Sequence, residues 1–135
     1  MSEENVEIVR EQHAVFDQLV EGREIRSWVY GYFDSACEYR PVEEIEPVCG
    51  HQALIEWTER WLEAWSSYSD RVEEIIDGGE IVVAAVSTKA RGRTSGLEIR
   101  QRFFHVFEIR EGRIFRMLEY LDRESALEAA GLRER

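Results

Sequence analysis

The segment 101–122, QRFFHVFEIREGRIFRMLEYLD, constrains the fold of this chain more than any other. Two runs rich in aromatic and aliphatic residues flank Glu111-Gly112, a pattern that predicts two long antiparallel strands joined by a tight turn. The turn matters because a slip of one residue moves every side chain of a strand to the other face of its sheet. A two-residue type I′ loop needs positive φ at both Glu111 and Gly112, and glutamate suits that conformation poorly. A three-residue loop, Arg110-Glu111-Gly112, asks it only of the glycine and is the register expected here. Ile109 then pairs with Arg113, His105 lies opposite Met117, and Glu119 lies opposite Phe103. One face carries Gln101, Phe103, His105, Phe107, Ile109, Phe115, Met117, Glu119 and Leu121. His105 and Glu119 become diagonal neighbours on it, within reach of each other or of a shared ligand. The two-residue loop would send them to opposite sides. The other face, with Arg102, Phe104, Val106, Glu108, Ile114, Arg116, Leu118, Tyr120 and Asp122, is mixed and suits an interface or a partly solvated sheet.

His105 and Glu119 are the candidates for chemistry. An imidazole titrates near neutrality and suits proton transfer wherever a substrate reaches it. A glutamate facing Phe103, Phe107, Phe115 and Met117 is expected in its neutral form unless His105 or an arginine pairs with it, because burying an unpaired charge is costly. Such a carboxyl in an apolar cleft is a candidate acid or base. The competing reading is structural: a core histidine satisfied by a carbonyl, or a His105–Glu119 pair that only holds the fold.

The remaining sequence supplies helices first and strands later. A helix from Ser2 to about Val20 presents Val6, Val9, His13, Phe16 and Val20 at spacings of three and four, with Gly22 as its breaker. A second, about 24–33, presents Ile25, Trp28, Val29 and Tyr32, and a short strand, Cys37–Arg40, stops at Pro41. A third, about 52–66, carries Leu54, Trp57, Trp61 and Trp65, a ridge expected to pack on a sheet. Strands over 71–76 and 81–90 flank the turn signal Asp77-Gly78-Gly79. Asp122 is the expected N-cap of a last helix, 123–130, closed by Gly131. Helices followed by an antiparallel meander define an α+β architecture.

At 135 residues the chain is expected to be a single domain, 1–135. Its net charge of −11 argues against nucleic acid and anionic membrane surfaces as partners. There is no apolar run of membrane-spanning length, and the acidic start MSEENVEIVREQ is unlike a signal peptide, so a cytoplasmic location is expected. Cys37 and Cys49 fit no metal spacing and are expected to be reduced, partly buried thiols. Neither the three dispersed histidines nor any glycine-rich loop suggests a metal or cofactor.

The segments ENVEIVREQHAVFD, YFDSACEYRP, CGHQALIEWTERW, REGRIFRMLEYLD and DRESALEAAGL, in this order, resemble the SnoaL-like group of the nuclear transport factor 2-like superfamily. The resemblance covers nearly the whole chain. It implies a cone-shaped domain in which a curved antiparallel sheet and three N-terminal helices enclose a cavity, with a short C-terminal helix and commonly a homodimer through the outer sheet face. Members include ketosteroid isomerases, polyketide cyclases, epoxide hydrolases, dehydratases and proteins without known activity, so fold alone does not give function. Isomerases carry an aspartate base before the proline of the first strand, where this chain has Arg40. Their oxyanion-hole acid falls on His105. The acid–base carboxylate of the cyclases falls on Glu119, a glutamate in place of the usual aspartate. The Asp-Arg-Asp set of the epoxide hydrolases is not assembled, since Arg116 and Asp122 belong to the other face.

On this resemblance the expected activity is that of a cofactor-independent isomerase, cyclase or hydrolase-type lyase acting on a small, mostly apolar molecule. Glu119 would be the acid–base group, and His105 would orient it or polarise a carbonyl or hydroxyl. His13 and Tyr39 would be secondary polar contacts. Trp28, Phe103, Phe107 and Met117 would shape the apolar wall, with Tyr32 and Trp61 as further wall residues. The alternative is a non-catalytic dimeric binding or scaffold domain whose cavity holds a metabolite or is filled by its own aromatic side chains.

Overall fold

The computed structural model describes residues 2–19 and 24–132. Along them run α1 (Ser2–Leu19), α2 (Ile25–Tyr32), β1 (Phe33–Arg40), β2 (Val48–Cys49), α3 (His51–Glu63), β3 (Trp65–Asp77), β4 (Ile81–Gly92), β5 (Glu98–Arg110), β6 (Arg113–Tyr120) and α4 (Arg123–Ala130). Val20, Gly22 and the charged 133–135 segment lie outside the described residues. The strands form one curved, unclosed sheet in the order β2-β1-β6-β5-β4-β3. The sheet is mixed rather than wholly antiparallel, because β1 runs parallel to β6. The two are distant in sequence, and the intervening chain provides the crossover that a parallel pair requires.

β4 explains how the layers are held. Val82, Ala84 and Val86 alternate into the main core, where α1, α2 and α3 cover the sheet. Val83 and Ala85 point the other way, into a second core with Phe104, Val106 and the α4 residues Ala126, Leu127 and Ala130. The mixed outer face expected to serve as an interface is therefore covered, at Phe104, Val106, Leu118 and Tyr120, by the chain's own α4. That helix is anchored as its sequence predicts: Ser125 N–H donates to Asp122 Oδ2, and Gly131 closes it in the left-handed conformation at φ 72°.

Trp65, expected on the α3 ridge, belongs instead to β3. Arg93 ends the helix: its backbone N–H donates to Ala64 O and its guanidinium to the carbonyls of Glu63 and Trp65. From there β3 pairs with β4 along its whole length, so it starts six residues earlier than its period-two signal suggests.

The β5–β6 turn differs from the expected one. Arg110 pairs with Arg113, leaving a two-residue loop with positive φ at both Glu111 (51°) and Gly112 (77°). This is the type I′ arrangement, whose twist matches that of the flanking strands. A bulge then corrects the facing. Ile109 pairs with Ile114 but Glu108 pairs with Arg116, which leaves Phe115 as the extra residue. Ile114 is consequently buried in the main core, while Phe115 lies under the Arg110 guanidinium, 4.0 Å from its ring centre. Beyond the bulge, Phe107 pairs with Met117 and His105 with Glu119. The two candidates share a face as expected, but as direct partners rather than diagonal ones, and Phe103 is not opposite Glu119.

Candidate active site

Glu119 sits where three elements converge. His105 reaches it across the β5–β6 pair, with Nε2 2.8 Å from Glu119 Oε2, and each side chain is only 8% exposed. Tyr39 stands beside Met117 in the β1–β6 pair, and its hydroxyl donates to the same oxygen at 3.3 Å. The backbone N–H of Val42, in the loop that Pro41 opens, donates to Oε1 at 3.3 Å. Burial and the Glu119 carboxylate hold the Tyr39 hydroxyl far above the ordinary tyrosine range, so it remains a donor. His105 thus supplies the partner that a buried glutamate requires.

Behind this pair, α1 brings His13 against His105 in a parallel stack, with centroids 5.6 Å apart. Burial, and then the neighbouring His105, depress the His13 imidazole to about 3, so this ring is neutral at physiological pH. Gln12 accepts from Trp28 Nε1 at 3.2 Å. Four buried polar atoms here lack a hydrogen-bond partner among the described residues: Gln12 Nε2, both nitrogens of His13, and His105 Nδ1. Each such orphan costs about 1–3 kcal/mol, so this end of the cavity carries unmet hydrogen-bonding capacity.

A second carboxyl group borders the cavity from β3. Asp70 Oδ1 accepts from Thr88 Oγ1 at 2.6 Å, and Oδ2 accepts from Tyr68 OH at 3.4 Å. Its own N–H donates to Asp17 Oδ1 at 2.8 Å. Burial lifts the Asp70 carboxyl to about 6, against the opposing pull of the Thr88 hydroxyl and of His105. The site therefore holds two carboxyl groups in different surroundings, one paired with an imidazole and one bound by hydroxyls.

The cavity is partly open and has a volume of about 40 Å³, room for roughly two or three waters. A larger cleft of about 410 Å³ opens beside it and shares Trp61 and Tyr68 with it. The Trp57 and Trp61 rings stack at 5.5 Å along the wall, and Tyr39 meets Trp57 edge-on at 5.0 Å.

Of the residues singled out in the sequence, His13, Trp28, Tyr39, Trp61, Met117, His105 and Glu119 line the cavity. Phe103 lines the cleft rather than the cavity. Phe107 lies beneath both, fully buried, edge-on to the His13 and His105 rings. Tyr32 does not line either space: α2 turns Trp28 and Val29 inward, and Tyr32, at its last position, is only partly buried. Burial and the nearby Glu11 carboxylate raise its hydroxyl. Sequence reasoning missed Gln12, Phe16, Trp57, Tyr68 and Asp70 as cavity residues. For Tyr68 and Asp70 the usable signal was the alternation Tyr68, Asp70, Val72, which places all three on one strand face.

Arg40, at the position of the isomerase base, is exposed and pairs with Glu38. Both cysteines are free, Cys37 buried and Cys49 exposed. Among the described residues, no group of three or more His, Cys, Asp or Glu side chains is arranged to hold a metal ion, and no helix is long and apolar enough to cross a membrane.

No curated protein matches this chain. Among solved structures, a proposed SnoaL-like polyketide cyclase from Jannaschia sp. CCS1 superposes with a TM-score of 0.78 at 17% identity, covering 100% of this chain and 96% of that one. A protein with a ketosteroid isomerase-like fold from Catenulispora acidiphila, in complex with trimethylamine, gives 0.74 at 14% identity, covering 93% of each chain. TerC, co-crystallised with polyporic acid, gives 0.73 at 18% identity, covering 94% of this chain and 97% of its own. At these identities the likeness concerns the fold. The model of the SnoaL-like domain matches residues 13–117, most of the chain and nearly all of the cavity wall. This protein belongs to the SnoaL-like domain family.

Proposed function

We propose that this protein binds a small, mostly apolar molecule and transforms it by acid–base chemistry without a cofactor, as an isomerase, a cyclase or a hydrolase-type lyase. The observation that carries this reading is the 2.8 Å contact between His105 Nε2 and Glu119 Oε2 at the wall of the cavity, with His105 Nδ1 left without a partner among the described residues. Glu119 takes a proton from a carbon next to a carbonyl, or from an attacking water, and returns it later in the cycle. His105 fixes the carboxyl group in place by donating its Nε2–H, and the neutral ring then offers Nδ1 as an acceptor to a substrate hydroxyl. Tyr39 holds Glu119 from the β1 side, while Trp28 and Met117 form apolar wall beside the reacting groups. Phe103 lines the outer cleft, where the remainder of the substrate would lie. The proposed polyketide cyclase activity of the Jannaschia protein and the co-crystallisation of TerC with polyporic acid support a polyketide-like substrate. The test is a screen of small carbonyl, epoxide and polyketide-like compounds, followed by Glu119→Gln and His105→Ala on any compound turned over. Each is expected to lose about 100-fold or more in rate, and wild-type rates in both variants would end this reading.

A second reading has its own observation. The cavity is only about 40 Å³ and is walled by the Trp57–Trp61 stack, far below the ~300 Å³ at which ligand pockets usually begin. A self-filled, non-catalytic dimeric binding or scaffold domain is consistent with that. A structure with a compound bound against Glu119 would exclude it. The homodimer itself is proposed from the family resemblance, and sedimentation at micromolar concentration tests it.

A further inference from the structure

The charge of the cavity and the character of its walls select for the same kind of ligand. Two carboxyl groups, Asp70 and Glu119, line it, and no lysine or arginine among the described residues does. Glu119 has the His105 imidazole against it, whereas Asp70 accepts side-chain hydrogen bonds from hydroxyls alone, those of Thr88 and Tyr68. The outer cleft repeats the pattern, with Glu43 on its border and again no described lysine or arginine. Burial and the Glu119 carboxylate both raise the proton affinity of Glu43, as expected where negative charges share a confined region. His13 is held neutral and adds no positive charge.

A series of ring contacts spans the distance between the two carboxyl groups. Tyr39 donates to Glu119 and meets Trp57 edge-on at 5.0 Å. Trp57 stacks on Trp61 at 5.5 Å, and Trp61 meets Tyr68 edge-on at 6.2 Å. Tyr68 donates to Asp70. All four rings line the cavity. Aromatic faces carry negative electrostatic potential and attract cations, most strongly where water is excluded and tryptophan is present. An anionic ligand would meet like charge here with the His105 imidazole and no lysine or arginine to offset it, and a neutral one would gain from Asp70 a hydrogen bond without the attraction between opposite charges.

We infer that the ligand of this cavity is a small organic ammonium ion, its head seated among these rings near Asp70 and its apolar remainder passing Trp61 and Tyr68 into the outer cleft. The inference rests on the reading of the cavity as a ligand site and names the class of molecule it takes.

The experiment compares choline with neohexyl alcohol, its neutral carbon isostere, by titration calorimetry on the full chain. Choline is expected to bind about tenfold or more tightly than the alcohol. Asp70→Asn and, separately, Trp61→Leu should each shrink that preference severalfold. Equal affinities, tighter binding of the alcohol, no binding of choline, or a full preference retained in folded Asp70→Asn would each overturn the inference. Should either variant fail to fold, the wild-type comparison decides alone. Binding is read without turnover, so the two proposals fail separately. A cation preference in a protein inert to every compound screened removes the acid–base reading and leaves this one. Turnover of a neutral substrate with no cation preference does the reverse.

Discussion

The imidazoles of His13 and His105 lie parallel, 8° between their planes, yet among the described residues only His105 has a hydrogen-bond partner. His105 is held by Glu119 across the β5–β6 pair. His13, stacked behind it, has no partner for either nitrogen among the described residues. Two adjacent imidazolium ions would repel, so His13 stays neutral behind His105, and the proposed proton chemistry is assigned to His105 alone.

His13 makes stability depend on pH. Its folded-state value of about 3 lies below the ordinary histidine value of 6.5. The unfolded chain therefore binds the proton more readily, and stability falls as pH drops below about 6.5, by up to about 1.4 kcal/mol per pH unit. His13→Phe should flatten that fall between about pH 6.5 and 3 and stabilise the protein by about 1 kcal/mol at neutral pH through loss of the orphaned nitrogens. Urea unfolding of both proteins across this range checks it.

Asp70 acts with the opposite sign. Its carboxyl is raised to about 6 from 3.8. The folded state holds the proton more tightly, so stability is lost as pH rises from about 4 through 6. Asp70→Asn keeps an acceptor for Thr88 and removes the buried charge. It should stabilise the protein by about 1–2 kcal/mol at pH 8, and hardly at all at pH 4. Thermal or urea denaturation at the two pH values would show it, and a variant less stable at pH 8 would refute it.

The turn at Glu111-Gly112 is a site of mild strain, since Glu111 holds φ 51°. Glu111→Asn should stabilise by about 0.5–1 kcal/mol, because asparagine tolerates this conformation better. Gly112→Ala, at φ 77°, should cost about 1 kcal/mol or more. Denaturation midpoints of the two variants should move in opposite directions.

These elements also show what the sequence could disclose. The two strands, the position of the turn between them, the Asp122 cap and the shared face of His105 and Glu119 were all legible. The route to that shared face was not. Sequence rules favour the loop that spares Glu111, whereas the chain takes the two-residue loop and regains the facing through the bulge at Phe115. What accompanies that bulge is a contact of Arg110 with Phe115, together with burial of Ile114, and neither follows from local propensity. Asp70 was missed because the expected helix ends near 66 and the expected strand begins at 71, leaving Asp70 between them, whereas the ladder with β4 and the Arg93 clamp make this stretch a strand. Tyr32 was overestimated because a helical stripe does not say how its last turn is oriented.

Tyr39 is expected to position rather than to transfer protons. Its hydroxyl donates to Glu119 and is held well above the usual tyrosine range by burial and by that carboxylate. Tyr39→Phe should lower kcat by about tenfold while leaving KM nearly unchanged, whereas a residue that only lined the wall would shift KM instead.

The central claim is that Glu119, held by His105, moves the proton. The most direct measurement is kcat/KM for Glu119→Gln against wild type on a compound that the wild type turns over, with folding of the variant checked by circular dichroism. A loss of about 100-fold or more in a protein that still binds the compound is the result this account expects. A folded Glu119→Gln protein that turns the compound over at the wild-type rate would contradict it.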